Sequence, residues 1–411
     1  MNYYNIIIPR PVNKLFTYTS EIQLVKGTRV IVDFRNRKTA GVVFSKSDII
    51  DQKCKSINCI LDKEEPFFNE KYLELLKRLS RNYVSSYGEV LDTLINRNLL
   101  KADYNDKESV KFNKVSIKYD SNEKLDSSTS KLLSLIGRDN RPILFRTDNI
   151  YKRISAYVGL IKKFNLQDRQ VKILCPDIAT LNKIVRILSP VFKDKIGVYF
   201  AAKTLKYRKK MLLGYRNGDV EIIAGTKSVL GLPSKNEDLI IVEGEEDEFY
   251  KQEESPYMQY RDAAIEYARI FKIPIVLGSS IPSLESFYNA KNNIYKYLYL
   301  ENDKNIKNAK VNLINIKEHE SISGLISMPI YEKIYKNIKE KKKTLLLINK
   351  KGYSNYLVCN NCGSNLMCDR CSVNATYYRS KGYCLCNYCG KKIDIVCSKC
   401  GSKDFFDFGF G

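Results

Sequence analysis

The pattern of apolar and polar positions predicts a small β-rich region at the start of the chain, followed by a helix. Residues 5–8 (NIII) form a strand that ends at prolines, and residues 28–32 (TRVIV) alternate as a half-buried strand does. Residues 40–44 (AGVVF) predict a third strand. Apolar and aromatic residues then recur at helical spacing over residues 72–83, which predicts a helix after the strands.

Between residues 141 and 300, apolar strands alternate with helical patterns. Such strands indicate a parallel sheet that is covered by helices on both faces. Ligands of these sheets gather at the carboxyl ends of the strands. The predicted strands lie at 171–174, 221–224, 239–242 and 273–277, and their carboxyl ends carry Gly225-Thr226, an acidic cluster and Gly278-Ser279-Ser280.

Two other stretches predict a linker and an incomplete second α/β unit. Residues 104–130 are rich in Lys, Asp, Ser and Asn, which is typical of a linker or a reduced insertion. Residues 330–343 predict a basic helix, and residues 345–348 (LLLI) predict a strand. Because the sequence stops at Gly411, soon after a strand-like start, the second unit is expected to be unfinished.

Length, composition and charge indicate a globular protein with a polyanionic partner. The chain has 411 residues, 44% of them hydrophobic, and no apolar run approaches the length that crosses a bilayer, so no membrane partner is expected. Its net charge of +23 favours a nucleic acid, which releases counterions when it is bound. An AT-rich genome would also enrich Lys, Asn, Ile and Tyr. No targeting segment is recognised, and the cytoplasm is the expected compartment.

Eight cysteines near the end of the chain form four Cys-x-x-Cys pairs, a spacing that predicts two zinc sites with four cysteines each. A disulfide framework is the alternative, but a reducing compartment disfavours it. An iron–sulfur cluster suits four evenly repeated pairs less well. Cys384 is an extra thiol that could compete as a ligand. The pairs are Cys359/Cys362, Cys368/Cys371, Cys386/Cys389 and Cys397/Cys400.

Basic and aromatic residues mark candidate nucleic-acid contacts. Between Lys26 and Lys55 there are eight basic and three acidic residues, and the joining loop at 35–38 is basic. Aromatic rings beside positive charge suit single-strand binding, with core burial as the competing interpretation. The chain has a single histidine, His319, which argues against catalysis or metal binding by histidine. The second aromatic and basic cluster comprises Phe249, Tyr250, Tyr257, Tyr260, Lys251 and Arg261.

Several segments together carry a resemblance to a known family. They are FTY at 16–18, KGTRV at 26–30, GTKS at 225–228, YKQEESP at 250–256, RDAA at 261–264, GSSIPSLE at 278–285 and NKKGY at 349–353. In this order, with the cysteine pairs, they resemble the PriA family of replication restart proteins (primosomal protein N′), which are superfamily 2 DNA helicases. The resemblance implies an α/β fold with a small β-rich DNA-binding domain, a RecA-like parallel-sheet helicase lobe, and a partial second lobe with an inserted zinc module.

The resemblance also implies roles for particular residues. In the family, the N-terminal domain captures the 3′ end of a nascent strand, and the matching pocket positions are Phe16, Thr17, Tyr18 and Lys55, with basic Arg35 nearby. Thr17 replaces the usual acid, so the family's carboxylate–base contact is not expected, although a hydroxyl could still hydrogen-bond. The zinc module is implied to bind DNA and other primosome proteins, and single-strand binding protein is a further implied partner. The implied ligand sets are Cys359, Cys362, Cys397 and Cys400 for one ion, and Cys368, Cys371, Cys386 and Cys389 for the other.

Three departures from the family pattern concern ATP. The phosphate-binding stretch has become residues 145–153 (FRTDNIYKR), which lack glycine, although Lys152 or Arg153 could still attract an anion. The acidic box falls on residues 243–246 (EGEE), where Glu243 replaces an Asp and Gly244 replaces the catalytic Glu. The second lobe, which holds the family's arginine finger, is unfinished. ATP hydrolysis with Mg²⁺ is therefore not expected, and no catalytic residue is assigned.

The sequence thus predicts a replication restart or primosome assembly protein that binds forked or single-stranded DNA without unwinding it. The alternative is an active ATP-dependent 3′–5′ DNA helicase with atypical motifs, and a third interpretation is a decaying gene remnant. Intact cysteine pairs argue against decay. The expected domains are 1–105 for binding a DNA 3′ end, 106–135 as a linker or reduced winged-helix region, 136–310 as the first lobe, 311–357 as the start of the second lobe, 358–403 as the zinc module, and 404–411 as a truncated continuation.

Overall fold

The chain forms two compact units, Met1–Ile306 and Lys307–Gly411, each with its own core. The computed structural model describes residues 1–48, 54–62, 64–101, 126–137, 139–164, 169–301, 310–315, 318–320, 322, 326–347, 354, 356–369, 373–386 and 390–408. The linker predicted over 104–130 therefore lies mostly outside the described residues, which resume at Asp126.

The first unit opens with an antiparallel sheet, as the alternating pattern predicts. Its strands are β1 (Asn2–Ile7), β2 (Phe16–Ser20), β3 (Arg29–Phe34), β4 (Arg37–Lys46) and β5 (Cys59–Ile60), in the spatial order β2-β1-β4-β3-β5. Arg35 and Asn36 alone form the turn between β3 and β4, and both have positive φ, 47° and 60°. Such turns match the twist of a tight hairpin.

The two faces of this sheet contribute to two different hydrophobic cores. One face, including Ile7 and Val42, shares a core with α1 (Glu70–Asn82), α2 (Tyr87–Leu94) and α3 (Arg97–Leu100). The other face forms a smaller core around Ile6, Tyr18 and Val30. Asn69 caps α1, because its side chain accepts a hydrogen bond from the amide of Tyr72.

A seven-stranded parallel sheet follows in the same unit, as the alternation of strands and helices predicts. The spatial order is β12-β6-β11-β10-β7-β9-β8, so all carboxyl ends meet at one edge. The strands are β6 (Ile143–Arg146), β7 (Gln170–Leu174), β8 (Ile196–Tyr199), β9 (Ile222–Gly225), β10 (Glu237–Glu243), β11 (Ile275–Ser279) and β12 (Lys296–Tyr299). The helices are α4 (Ser127–Leu135), α5 (Ile150–Phe164), α6 (Ile178–Phe192), α7 (Leu205–Asn217), α8 (Tyr260–Phe271) and α9 (Leu284–Lys291).

The described part of the second unit contains α10 (Met328–Lys339) and five short strands in two sheets. Strands β13 (Tyr356–Cys359) and β17 (Phe405–Phe408) pair antiparallel, and β14 (Thr376–Tyr378), β15 (Tyr383–Leu385) and β16 (Lys392–Ile393) form a separate sheet. No described helix in either unit combines the length and apolar character needed to cross a bilayer.

The strand predicted at 345–348 is wrong for Leu345, Leu346 and Leu347. These residues belong to no strand, and 91% of Leu345 and 92% of Leu347 are exposed. A strand requires a hydrogen-bonded neighbour, and none lies beside them in the described part of this unit. Ile348 lies outside the described residues.

Candidate functional site

The two outer cysteine pairs converge at one point of the second unit. The sulfur atoms of Cys359, Cys362, Cys397 and Cys400 all lie within 4.8 Å of one another. The Sγ atoms of Cys359 and Cys400 are 3.6 Å apart, and those of Cys362 and Cys397 are 3.5 Å apart. Strand β13 ends at Cys359 and pairs with β17, which follows Cys400 in the chain, so this pairing holds the two ends together.

Three cysteine turns share one backbone geometry. The amides of Gly363, Gly390 and Gly401 donate to the carbonyls of the cysteines four residues before them, each at 2.9 Å. These glycines have φ between 69° and 72°, a conformation that residues with a side chain rarely adopt. In the two outer pairs, this turn accompanies thiols that converge on one point, as a metal site requires.

The outer four sulfurs fit a tetrahedral metal ion. Zinc–sulfur bonds of about 2.3 Å place the corners of a tetrahedron about 3.8 Å apart. The closest sulfur–sulfur distances here, 3.5 Å and 3.6 Å, lie near that value. The cluster could therefore hold a metal ion through four thiolates.

Half of the predicted inner site lies outside the described residues, namely Cys371 and Cys389. The other two members, Cys368 and Cys386, are buried. Cys384 is also buried, in a small apolar core with Leu357, and desolvation raises the pKa of its thiol to about 11.

The expected phosphate-binding loop is replaced by a short turn and a helix. Strand β6 ends at Arg146, and α5 begins at Ile150, so only three residues connect them. The side chain of Asn149 accepts a hydrogen bond of 2.9 Å from the amide of Tyr151 and so caps the helix. A phosphate loop needs an open, glycine-rich turn with free amides. Here only three residues separate the strand from the first turn of α5.

A buried ion pair occupies the adjacent edge of the sheet. Arg153 projects from α5, and its Nε lies 3.0 Å from Oε1 of Glu243 at the end of β10. Tyr157 donates to Oε2 of the same carboxylate at 2.7 Å. Burial lowers the pKa of Arg153, but the Glu243 carboxylate more than offsets this and holds it above the ordinary value. Arg153 is 3% exposed and Glu243 is 1% exposed.

The same arginine ties three strand ends together. Its guanidinium also donates to the carbonyl of Thr147 after β6, and to Oγ of Ser280 after β11 at 3.0 Å. The packing is tight, because a Cβ added to Gly278 would lie 1.9 Å from the Tyr157 hydroxyl. This network, defined as the Arg153–Glu243 network, lies at the carboxyl edge of the sheet, which is where ligands of open α/β sheets bind.

Two further residues of the acidic box, Gly244 and Glu245, have local structural roles. Gly244 has a φ of 64°, which accounts for a residue without a side chain at this strand end. Glu245 is fully buried and accepts hydrogen bonds from the Ser283 amide and the Ser286 hydroxyl, both at 2.8 Å. Its carboxylate is therefore engaged in hydrogen bonds within the fold. Lys152 follows in the first turn of α5 and is half-buried.

Aromatic rings and cations meet at one end of the N-terminal sheet. The rings of Phe16 and Phe34 make an edge-to-face contact with centroids 4.9 Å apart, and both are half-buried. Lys14 lies 5.0 Å above Phe16, and Arg35 lies 5.5 Å from Phe34. These four residues are defined as the Phe16 cluster. The sequence singled out Phe16 and Arg35 but missed Lys14 and Phe34, whose proximity depends on the pairing of strands.

The other predicted pocket residues take different positions. Tyr18 is only 5% exposed and donates to the carbonyl of Asp33, so the structure places it in the core. Burial, followed by the charge of Asp33, raises its pKa. Thr17 faces the opposite side and donates to Asn5 at 3.2 Å. Lys55 is exposed beside β2, because its carbonyl accepts from the Thr19 amide at 3.0 Å.

The aromatic cluster at 249–261 divides into buried and exposed members. The structure corrects the interpretation of Tyr250, which is fully buried and donates to the carbonyls of Glu243 and Leu174. It also places Arg261 in the interior, 3.2 Å from Glu245. Neither side chain is available to a base in this arrangement. Lys251 remains exposed, and Phe249 and Tyr257 are 61% and 62% exposed.

Comparisons with known proteins identify relatives of this chain. Residues 5–96 match the 3′ DNA-binding domain (3′BD) family of PriA. The chain is 29% identical to the replication restart protein PriA of Rickettsia prowazekii over 95% of its own length and 61% of that protein. It is 28% identical to the PriA of Borreliella burgdorferi over 98% of its length and 62% of that protein.

The chain spans about three fifths of the length of these curated relatives. A likeness to the structure of RecG bound to a three-way DNA junction has a TM-score of 0.33 and 15% identity, and it covers 48% of this chain and 26% of that one. That likeness is too low to carry an argument. The sequence matches confirm the predicted resemblance.

Proposed function

We propose that this chain is a DNA-binding factor in replication restart, because 95% of the chain resembles the replication restart protein PriA. It binds branched or single-stranded DNA through its N-terminal domain, and it neither hydrolyses ATP nor unwinds the duplex. The main support for the absence of ATP hydrolysis is the Arg153–Glu243 network. It lies at the carboxyl edge of the sheet, where a nucleotide would be expected to bind.

Two features of the Phe16 cluster support DNA binding. Aromatic faces stack with bases of any sequence, and cations beside them neutralise phosphates. Lys14 and Arg35 flank the two rings and are exposed. The cluster also lies within the 5–96 segment that matches a 3′ DNA-binding domain. We therefore place a terminal base of the DNA against Phe16, with its sugar–phosphate chain near Lys14 and Arg35.

The Arg153–Glu243 network argues against ATP binding on physical grounds. A nucleotide would have to displace a guanidinium that neutralises a buried carboxylate and makes further hydrogen bonds to Thr147 and Ser280. Removing one member of a buried pair costs several kcal/mol, roughly 3–5. The amides of Thr147, Asn149, Tyr151 and Lys152 already have hydrogen-bond partners, so they could not recover that cost without losing them.

We further propose two zinc ions per chain, each held by four cysteines. The outer quartet has the required convergence, and the turns at Cys386 and Cys397 share the geometry of the turn at Cys359. A closed four-cysteine site is structural, because no position remains for a substrate. The module would then present a rigid, basic surface to DNA or to other primosome proteins, including single-strand binding protein.

Replacing Phe16 by leucine tests the DNA site. Leucine keeps apolar packing against Phe34 but removes the stacking face, so affinity for a single strand with a free 3′ end should fall by about 1–3 kcal/mol, roughly 5- to 150-fold. Fluorescence anisotropy with a labelled oligonucleotide measures this change.

Phe44→Leu is the matched control. Phe44 is a half-buried aromatic residue of the same sheet, but its ring packs 4.9 Å from Tyr87 of α2 rather than beside Phe16. Its replacement should leave DNA affinity unchanged. Equal losses in the two variants, or none in Phe16→Leu, would place the DNA site elsewhere.

A further inference from the structure

Helix α7 and the turn before it carry a run of basic residues that belong to none of the sites described above. Residues 200–217 contain six basic residues and no acid. Lys203, Lys206, Tyr207 and Lys210 follow the spacing that places residues on one side of a helix. Lys203 lies 5.2 Å from the ring of Tyr207, which confirms that they share this side. These four residues are defined as the α7 stripe.

The α7 stripe is a surface feature. Lys203, Lys206 and Lys210 are exposed, and Tyr207 is half-buried. The opposite side of α7 supplies Leu212 and Tyr215 to the core, so burial does not require the lysines. The second ring beside Lys203 is that of Phe200, also at 5.2 Å and half-buried. Cations interleaved with aromatic rings are the pattern of single-strand contacts.

Positive charge lies at two positions of α7 that are unfavourable in an isolated helix. Thr204 caps α7, and its first turn contains no acid. Positive charge near a helix N-terminus is disfavoured by the helix dipole. Lys206 and Lys210 are four residues apart, and like charges at this spacing repel. A bound polyanion would relieve both effects.

The position of the stripe is suited to a nucleic acid that also reaches the N-terminal domain. Strand β8 ends at Tyr199, opposite Gly225, so the stripe begins at the carboxyl edge of the sheet. Helix α3 contacts both α7 and β4. Just after α3, Lys101 donates to the carbonyl of Lys38 at 3.1 Å, beside the basic turn of the β3–β4 hairpin.

We propose that the α7 stripe binds the phosphate backbone of single-stranded DNA that continues beyond the end held by the N-terminal domain. This inference rests on the proposed DNA-binding function and adds a second contact surface to it. Each lysine would neutralise one phosphate and release counterions from the strand.

Salt dependence of binding tests the stripe directly. For Lys206→Ala/Lys210→Ala, the slope of log affinity against log salt should become shallower by about 1.4, since each phosphate contact to a single strand contributes about 0.7. The probe is a fluorescein-labelled oligo(dT). Lys183→Ala/Arg186→Ala is the control, because it removes the same charge from exposed positions of α6, which packs on the other face of the sheet.

The outcomes separate the two proposals. A shallower slope in the α7 variant alone supports the stripe. Identical slopes in the α7 variant, the control and the unaltered chain would overturn it while leaving the DNA-binding function intact. Failure of the unaltered chain to bind the oligonucleotide would overturn the proposed function itself.

Discussion

Arg153→Met should lower the free energy of unfolding of the first unit by about 3–5 kcal/mol. Glu243 is 1% exposed and would be left as a buried carboxylate without its cation, although Tyr157 would still donate to it. Methionine fills much of the same space, so the loss would report the missing charge rather than a cavity. Urea unfolding followed by circular dichroism measures the difference.

Two further variants make this result specific. In Arg153→Met/Glu243→Leu both charges are absent, so stability should recover toward that of the unaltered chain. Arg269→Met removes an ion pair with Glu266 at 2.8 Å in which the arginine is 62% exposed, and it should cost less than about 1 kcal/mol. A double variant no more stable than Arg153→Met would show that the pair is not the source of the effect.

Cys397→Ser should reduce bound zinc from two ions per chain to one. Its sulfur lies 3.5 Å from that of Cys362 inside the outer quartet, and a tetrahedral site loses closure when one of four thiolates is removed. Structural zinc contributes roughly 10–16 kcal/mol to small modules near neutral pH, so the cysteine module should also become protease-sensitive. Metal analysis of the purified protein and limited proteolysis measure both effects.

Cys59→Ser is the matched control for this substitution. Cys59 is exposed on β5 of the first unit, far in sequence from the four pairs, so zinc content should not change. Two zinc ions retained in Cys397→Ser would contradict the assignment of the outer quartet. One zinc ion in the unaltered chain would contradict the second site.

The sequence predicted the parallel sheet well because its strands are continuous apolar runs. Strand β11 begins at Ile275 rather than at the predicted Ile273, since Pro274 has no amide proton to donate to a ladder. The turn of Arg35 and Asn36 is two residues long within the predicted loop at 35–38. Local pattern therefore determined these elements to within a residue or two.

Contacts between distant residues could not be predicted in the same way. Arg153 and Glu243 are 90 positions apart, and only the strand order brings α5 over the end of β10. Tyr250 and Phe249 are adjacent aromatic residues in a charged segment, yet one is buried and the other is 61% exposed. Composition does not distinguish such neighbours, because burial depends on which way each side chain points from the turn.

DNA-stimulated release of phosphate from ATP tests the central claim most directly. The protein should be mixed with forked DNA, shown by anisotropy in the same sample to be bound, and supplied with ATP and Mg²⁺. The account predicts that phosphate release with the protein and bound DNA is no faster than in buffer without protein, because Arg153 and Glu243 pair at the edge of the sheet where ATP would bind. Turnover that rises with DNA and disappears in Glu243→Ala would contradict it and restore the interpretation as an active helicase.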